Sequence, residues 1–282
     1  MAFIRKISNE LITKLNSQSL FNSHLKADLT KCVVFPAIRK ERFDFYHAGQ
    51  KLFKFDNNGF ETNIKFAAVI DKCTDYINEN DLNDVKLISN FEDGYSRIKE
   101  NCSKYSGPED RCISELYSKY SYLNNNSETV VLDIEVSFES VDDNKSQDRI
   151  DILLYNKNKR ILQFVEAKHF SNSELFTKPI PKVIDQINRY EKQIKSRNDE
   201  ILEQYKKYIR IINKLFNIKL KFPLSIEEKV ILLVMGFSQD QSIKLKNEIK
   251  NNVKYKGIKY YQKGHPESIQ IANLWKVAKI IA

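Results

Sequence analysis

Three side chains between residues 149 and 168 have the types and spacing for phosphate chemistry. Asp151 lies in the run 149–155, and Glu166-Ala167-Lys168 closes a second run, 160–168. Both runs are rich in β-branched and other apolar residues. The polar tetrapeptide Asn156-Lys157-Asn158-Lys159 between them reads as the turn of a hairpin. Side chains alternate along a strand, so Glu166 and Lys168 share one face while Val165 and Ala167 take the other. Two carboxylates and an ammonium held at one point suit a hard divalent cation and a phosphate under attack. A carboxylate-held Mg²⁺ polarises a phosphoryl oxygen and lowers the pKa of bound water, and a lysine beside it adds positive charge and orients the water.

The surrounding chain must supply a sheet to carry these residues. Residues 129–138 alternate, with Leu132, Ile134, Val136 and Phe138 on one side and Asp133, Glu135 and Ser137 on the other. The polar loop 142–148 turns that strand into the one bearing Asp151. Before it, Pro108-Glu109-Asp110 opens a helix over 111–123, with proline in the first turn and acids at the positive end of the dipole. After Lys168 comes a loop holding Ser171 to Glu174, where Glu174 is read as a cap or brace and His169 as a structural imidazole. A helix then runs from about 181 through Tyr190 to about 201, with Val183, Ile187 and Tyr190 on one stripe. The run 229–237 is almost wholly apolar, as a buried central strand would be. Helix, three strands, helix, strand is the order of an α/β sheet covered on both faces.

This pattern resembles the PD-(D/E)xK nuclease superfamily. Asp151 on one strand and Glu166-Ala167-Lys168 on the next match its core motif, although Ile150 stands where the name has proline. Gln186-Ile187-Asn188-Arg189-Tyr190 looks like the Gln-x-x-x-Tyr signature of the RecB-like branch, and a spacing of four puts Gln186 and Tyr190 on one helix face. The resemblance covers about 108–237. It implies a restriction-endonuclease-like mixed sheet flanked by helices, with Asp151, Glu166 and a further upstream acid holding Mg²⁺ or Mn²⁺. Glu135 is the first choice for that acid and Glu115 the alternative. It implies that Lys168 is catalytic and that Gln186 and Tyr190 orient the site or contact substrate. The activity implied is metal-dependent hydrolysis of DNA phosphodiester bonds, in restriction, phage defence or repair. RNA stays open as a substrate, and a non-catalytic nucleic-acid-binding module on the same fold is the competing reading. Family analogy also points to a homodimer, and the lack of a P-loop assigns any motor or sensor to a partner protein.

Residues 1–106 read as a separate N-terminal domain, preceding a nuclease domain over 107–282. An amphipathic helix over 3–15 and a strand at 32–35 lead into an antiparallel meander through residue 66, with Asp56-Asn57-Asn58-Gly59 as a hairpin turn. Arg39, Lys40 and Arg42, near Lys51 and Lys54 and among aromatics, fit a nucleic-acid-contacting sheet. The alternative is an ordinary half-exposed sheet with charge outside and aromatics in the core. Residues 69–100 read as an acidic helical connector. Lysines crowd 244–263, where Glu248 is the lone acid, as a phosphate-tracking surface or a solvated helix face. Trp275 reads as core within a C-terminal helix.

The chain has 282 residues, 29% charged and 41% hydrophobic, which excludes disorder, and its formal charge of +9 favours polyanionic partners. Cys32, Cys73, Cys102 and Cys112 form no Cys-x-x-Cys pair, so they read as reduced thiols rather than a zinc site. With no signal-peptide core or bilayer-length apolar run, the expectation is a cytoplasmic protein without membrane contact.

Overall fold

The computed structural model describes residues 3–69, 79–124, 127–138 and 149–282. The loop expected at 142–148, Cys73, and parts of the expected connector and of the 124–127 helix stop lie outside these residues. The architecture is mixed α/β. A six-stranded mixed sheet carries the residues of interest, and a four-stranded antiparallel sheet lies N-terminal to it in sequence.

The N-terminal segment begins with a shorter helix than expected, α1 (Asn9–Asn16). Ser8 stops it on the N-terminal side by accepting a 3.2 Å hydrogen bond from the Leu11 amide. The meander follows as β1 (Phe35–Arg39), β2 (Arg42–His47), β3 (Gln50–Asp56) and β4 (Gly59–Glu61), each paired antiparallel with the next. The first strand starts later than the 32–35 expectation because Cys32 takes a left-handed φ of 56° that ends any extended run. Phe43, Phe45, Phe53 and Phe55 are fully buried, so the aromatics of this sheet are core. In the expected connector the described residues form a 3-10 turn (Glu79–Asp84), a two-residue strand (Lys86–Leu87) and helix α2 (Tyr95–Lys104).

Helix α3 (Pro108–Tyr120) has proline at its first position, acids in its first turn and Cys112, Ile113, Leu116 and Tyr117 buried. The large sheet then begins with β5 (Thr129–Ser137), β6 (Arg149–Asn156) and β7 (Ile161–His169), an antiparallel run. The helix expected from 181 to 201 is two helices, α4 (Lys182–Ser196) and α5 (Asn198–Phe216), broken at Arg197. They form the crossover to β8 (Ser225–Met235), which pairs parallel with β7. A further parallel strand, β9 (Lys259–Lys263), and an antiparallel edge, β10 (Lys279–Ile280), complete the sheet in the order β10-β9-β8-β7-β6-β5. Val230 through Met235 are fully buried, as a strand covered on both faces requires. The C-terminal helix is only four residues (Leu274–Val277), and Trp275 packs half-buried against the core. Among the described residues no helix is long and apolar enough to cross a membrane.

The alternation expected along β5 fails at Asp133. The register slips between Val131 and Asp133, and Leu132, Asp133 and Ile134 are all buried. Asp133 can be buried because two N-terminal arginines, Arg5 and Arg39, reach it. Arg5 Nη2 donates to Oδ2 at 3.2 Å, Arg39 Nη1 to Oδ1 at 2.8 Å, the Tyr205 hydroxyl to Oδ2 at 3.0 Å and the Ile134 amide to Oδ1 at 2.9 Å.

Candidate active site

The antiparallel register of β6 and β7 pairs Ile152 with Val165, so the next residues, Asp151 and Glu166, come level. Lys168 follows two residues on, along the same face. The hairpin thus brings Asp151, Glu166 and Lys168 to one point, and all three are buried. Asp151 Oδ2 accepts a 2.7 Å hydrogen bond from the Ala167 amide, which fixes that carboxylate to the neighbouring strand. Lys168 Nζ stands 2.8 Å from Glu166 Oε1, an ion pair within the buried site. Glu166 Oε2 has no donor among the described residues, although the side chain is fully buried.

Two further acids close on Lys168. Glu109, in the first turn of α3, places Oε1 3.7 Å from Nζ, and Glu174, in the 3-10 turn Ser173–Leu175, places Oε2 at 3.3 Å. Glu109 is anchored from the other side, where its Oε2 accepts from the His169 amide and from Asn172 Nδ2, each at 3.0 Å. The immediate cluster is therefore Asp151, Glu166, Glu109 and Glu174 around one ammonium.

That excess of acid sets the protonation. Burial, then the charge of Glu166, drives Asp151 well above the usual carboxylate range. Burial raises Glu166 to about 7 against the opposing pull of Lys168. For Lys168, burial favours the neutral amine, yet Glu166, Asp151 and Glu109 outweigh it and hold the ammonium charged. Two buried carboxylates raised together, with an oxygen that no donor meets among the described residues, would both be favoured in their charged forms by an added positive charge. Asp151 and Glu166 fit a hard cation by donor type and by this unmet demand. Among the described residues no three carboxylate, imidazole or thiol groups converge closely enough to hold an ion as they stand, so the pair is an incomplete ligand set.

The flanking acids fall out differently from the sequence reading. Glu135, with φ of 50°, lies close enough to raise Asp151, but its Oε2 is paired 3.2 Å from Arg149 Nη1. Glu115 sits away from the cluster, where burial and Glu267 raise it. Glu109, which the sequence offered only as a helix-start acid, is the upstream acid that reaches Lys168. Its position two residues into a helix that precedes the first strand was the available signal. Glu174, read as a cap or brace for its loop, faces the same lysine.

Gln186 and Tyr190 are brought together and joined to the site's scaffold. Gln186 Nε2 donates to the Tyr190 hydroxyl at 2.7 Å, and that hydroxyl donates to the Arg149 carbonyl at 2.6 Å. The pair therefore pins β6 two residues before Asp151. His169 lies under Gly236, whose φ is 79°; a Cβ there would come within 2.1 Å of the imidazole Cδ2. Glycine is required at that point by both conformation and space.

No family model, curated protein or solved structure matches this chain.

The N-terminal basic residues are mostly spent within the protein. Arg39 is buried, donating to Asp133 and, through Nη2, to the Ile134 carbonyl at 2.6 Å. Arg42 Nε lies 2.8 Å from Asp44 Oδ1, and Lys51 Nζ 3.0 Å from Asp44 Oδ2. Of Arg39, Lys40 and Arg42 only Lys40 is exposed. The phenylalanines of this sheet are buried as well, so its aromatic side chains lie in the core, with Arg39, Arg42 and Lys51 paired to acids.

Proposed function

We propose that this chain is a metal-dependent nuclease of the PD-(D/E)xK type, hydrolysing DNA phosphodiester bonds with Mg²⁺ or Mn²⁺. The observation that carries the reading is Glu166: a fully buried carboxylate with an oxygen that no donor meets among the described residues, level with Asp151 and two residues from Lys168. A purely structural carboxylate at that depth costs several kcal/mol unless it is satisfied. The helix, antiparallel three-strand run, helical crossover and parallel fourth strand support the restriction-endonuclease-like assignment of the fold.

In this reading Asp151 and Glu166 would hold the ion, and Glu135 and Glu109 are the further acids whose charge reaches Asp151. Bound there, the ion supplies a polarised phosphoryl oxygen and a water of lowered pKa. Lys168 places its charge beside the attacked phosphate and orients the water. In the resting protein Lys168 is neutralised by Glu166, Glu174 and Glu109, so an ion at the acids would free the ammonium for substrate. Tyr190 and Gln186 keep β6, and with it Asp151, in register.

The test is a gel assay with plasmid, linear duplex, single-stranded DNA and RNA in Mg²⁺, Mn²⁺ or EDTA, beside Asp151→Ala and Lys168→Ala. The expected result is metal-dependent cutting of DNA that falls about 100-fold or more in both variants. Salt-sensitive binding without cutting, equal in all three proteins, would favour the non-catalytic binding module. Cutting that survives both substitutions would place the active site elsewhere.

A further inference from the structure

The turn between β2 and β3 is docked onto the helix end that presents Glu109. Gln50 Nε2 donates to Asp110 Oδ2 at 2.7 Å, and the Gly49 amide donates to the Tyr117 hydroxyl at 3.0 Å. Ser106 Oγ donates to the Ala48 carbonyl from the residues just before α3. Asp110 Oδ2 also accepts from the Gly107 amide at 2.9 Å, so the oxygen held by Gln50 is the one that caps the helix. The approach is close: a Cβ on Gly49, whose φ is 79°, would lie 2.3 Å from the Asp110 carbonyl oxygen. Residue 110 is thus gripped by the meander, while its neighbour Glu109 reaches Lys168, the His169 amide and Asn172.

We propose that this turn is a positioning element for the active site, and that Gln50, acting through Asp110, sets Glu109 against Lys168 and the end of β7. Adjacent residues of one helical turn move together, so the first turn of α3 cannot shift at Asp110 without carrying Glu109. Gln50 touches neither Lys168 nor the paired acids and is a positioning residue, not a catalytic one. The catalytic consequence rests on the nuclease reading; the positioning itself does not.

A double-mutant cycle tests it. Gln50→Leu keeps the bulk of the side chain and removes the donor. The expected result is a kcat about tenfold lower with KM for DNA nearly unchanged, the size that a small displacement of a catalytic group produces. In a Glu109→Gln background the same substitution changes nothing further, because its effect runs through that carboxylate. Gln50→Lys, which retains a donor toward Asp110, recovers most of the rate. An equal loss in both backgrounds, or none in either, would overturn the proposal. The His169 amide gives a readout independent of cleavage. Its hydrogen exchange rises about tenfold in Gln50→Leu while the amides of β8 stay protected, as a local release predicts. If the wild type cuts no nucleic acid, that exchange decides alone: an unchanged His169 amide would refute the positioning, and a selective rise would establish it while the nuclease reading falls.

Discussion

Two buried charge clusters lie within this fold, and they are built oppositely. Around Asp133 and Asp44 stand Arg5, Arg39, Arg42 and Lys51, two acids among four cations. Around Lys168 stand Glu166, Glu109 and Glu174, with Asp151 beside them, four acids against one cation among the described residues. Asp133 accepts from two arginines, a tyrosine and a backbone amide. Glu166 leaves Oε2 without a donor among the described residues. Asp44 is buried too, yet Arg39, Lys51 and Arg42 outweigh that burial and hold it below the usual carboxylate range, whereas Glu166 is pushed above it. The Asp133 carboxylate, met by donors at both oxygens, ties segments together. A cluster with surplus acid favours a ligand of positive charge.

The sharpest break of the comparison is Asp133→Ala. It leaves Arg5 and Arg39 buried without their acid and should cost about 3–5 kcal/mol in urea unfolding. Glu166→Gln should do the reverse. Removing a buried, ill-satisfied charge stabilises the metal-free protein by roughly 1–3 kcal/mol at pH 8 in EDTA, the usual trade of stability against a functional site. A destabilised Glu166→Gln protein would show that the carboxylate is structural after all.

The pH dependences differ in sign. Glu166 is raised from 4.5 to about 7, so the folded state binds its proton more tightly; stability linked to it is full below about 4.5 and is lost as pH rises through about 7. Asp44 is lowered from 3.8, so its contribution is present above that value and is lost as pH falls below it. Urea unfolding in EDTA from pH 3 to 8 should therefore show wild type losing ground to Glu166→Gln across the upper window alone. A smaller effect is expected from Tyr190→Phe, which drops the bond to the Arg149 carbonyl: about 1 kcal/mol in unfolding, with a several-fold fall in cleavage as Asp151 loses its register.

The legible part of this site was the part written in strand alternation. Asp151 and Glu166-Ala167-Lys168 flank one short turn, so local sequence determines their meeting, and Gln186 and Tyr190 are one helical turn apart. Glu109 was visible only as an acid in a good place to start a helix, because its contact with Lys168 is made across 59 residues by packing rather than by pattern. The pairing of Asp133 with Arg39 was hidden for the same reason. Alternation put Asp133 on the polar face with Glu135 and Ser137 and left Arg39 between nucleic-acid contact and an ordinary sheet, while the fold joins the two in the interior over 94 residues. The slip between Val131 and Asp133 that permits this has no mark in the sequence.

The most direct measurement is calorimetric titration of Mn²⁺ into wild type, Glu166→Gln and, as a control, Arg42→Gln, at pH 7 in two buffers of different ionisation enthalpy. The surplus acid predicts binding by wild type and Arg42→Gln with net proton release, and affinity at least about tenfold weaker in Glu166→Gln. Equal affinity in all three proteins, or no binding by wild type, would contradict the assignment of Asp151 and Glu166 as the seat of a cation.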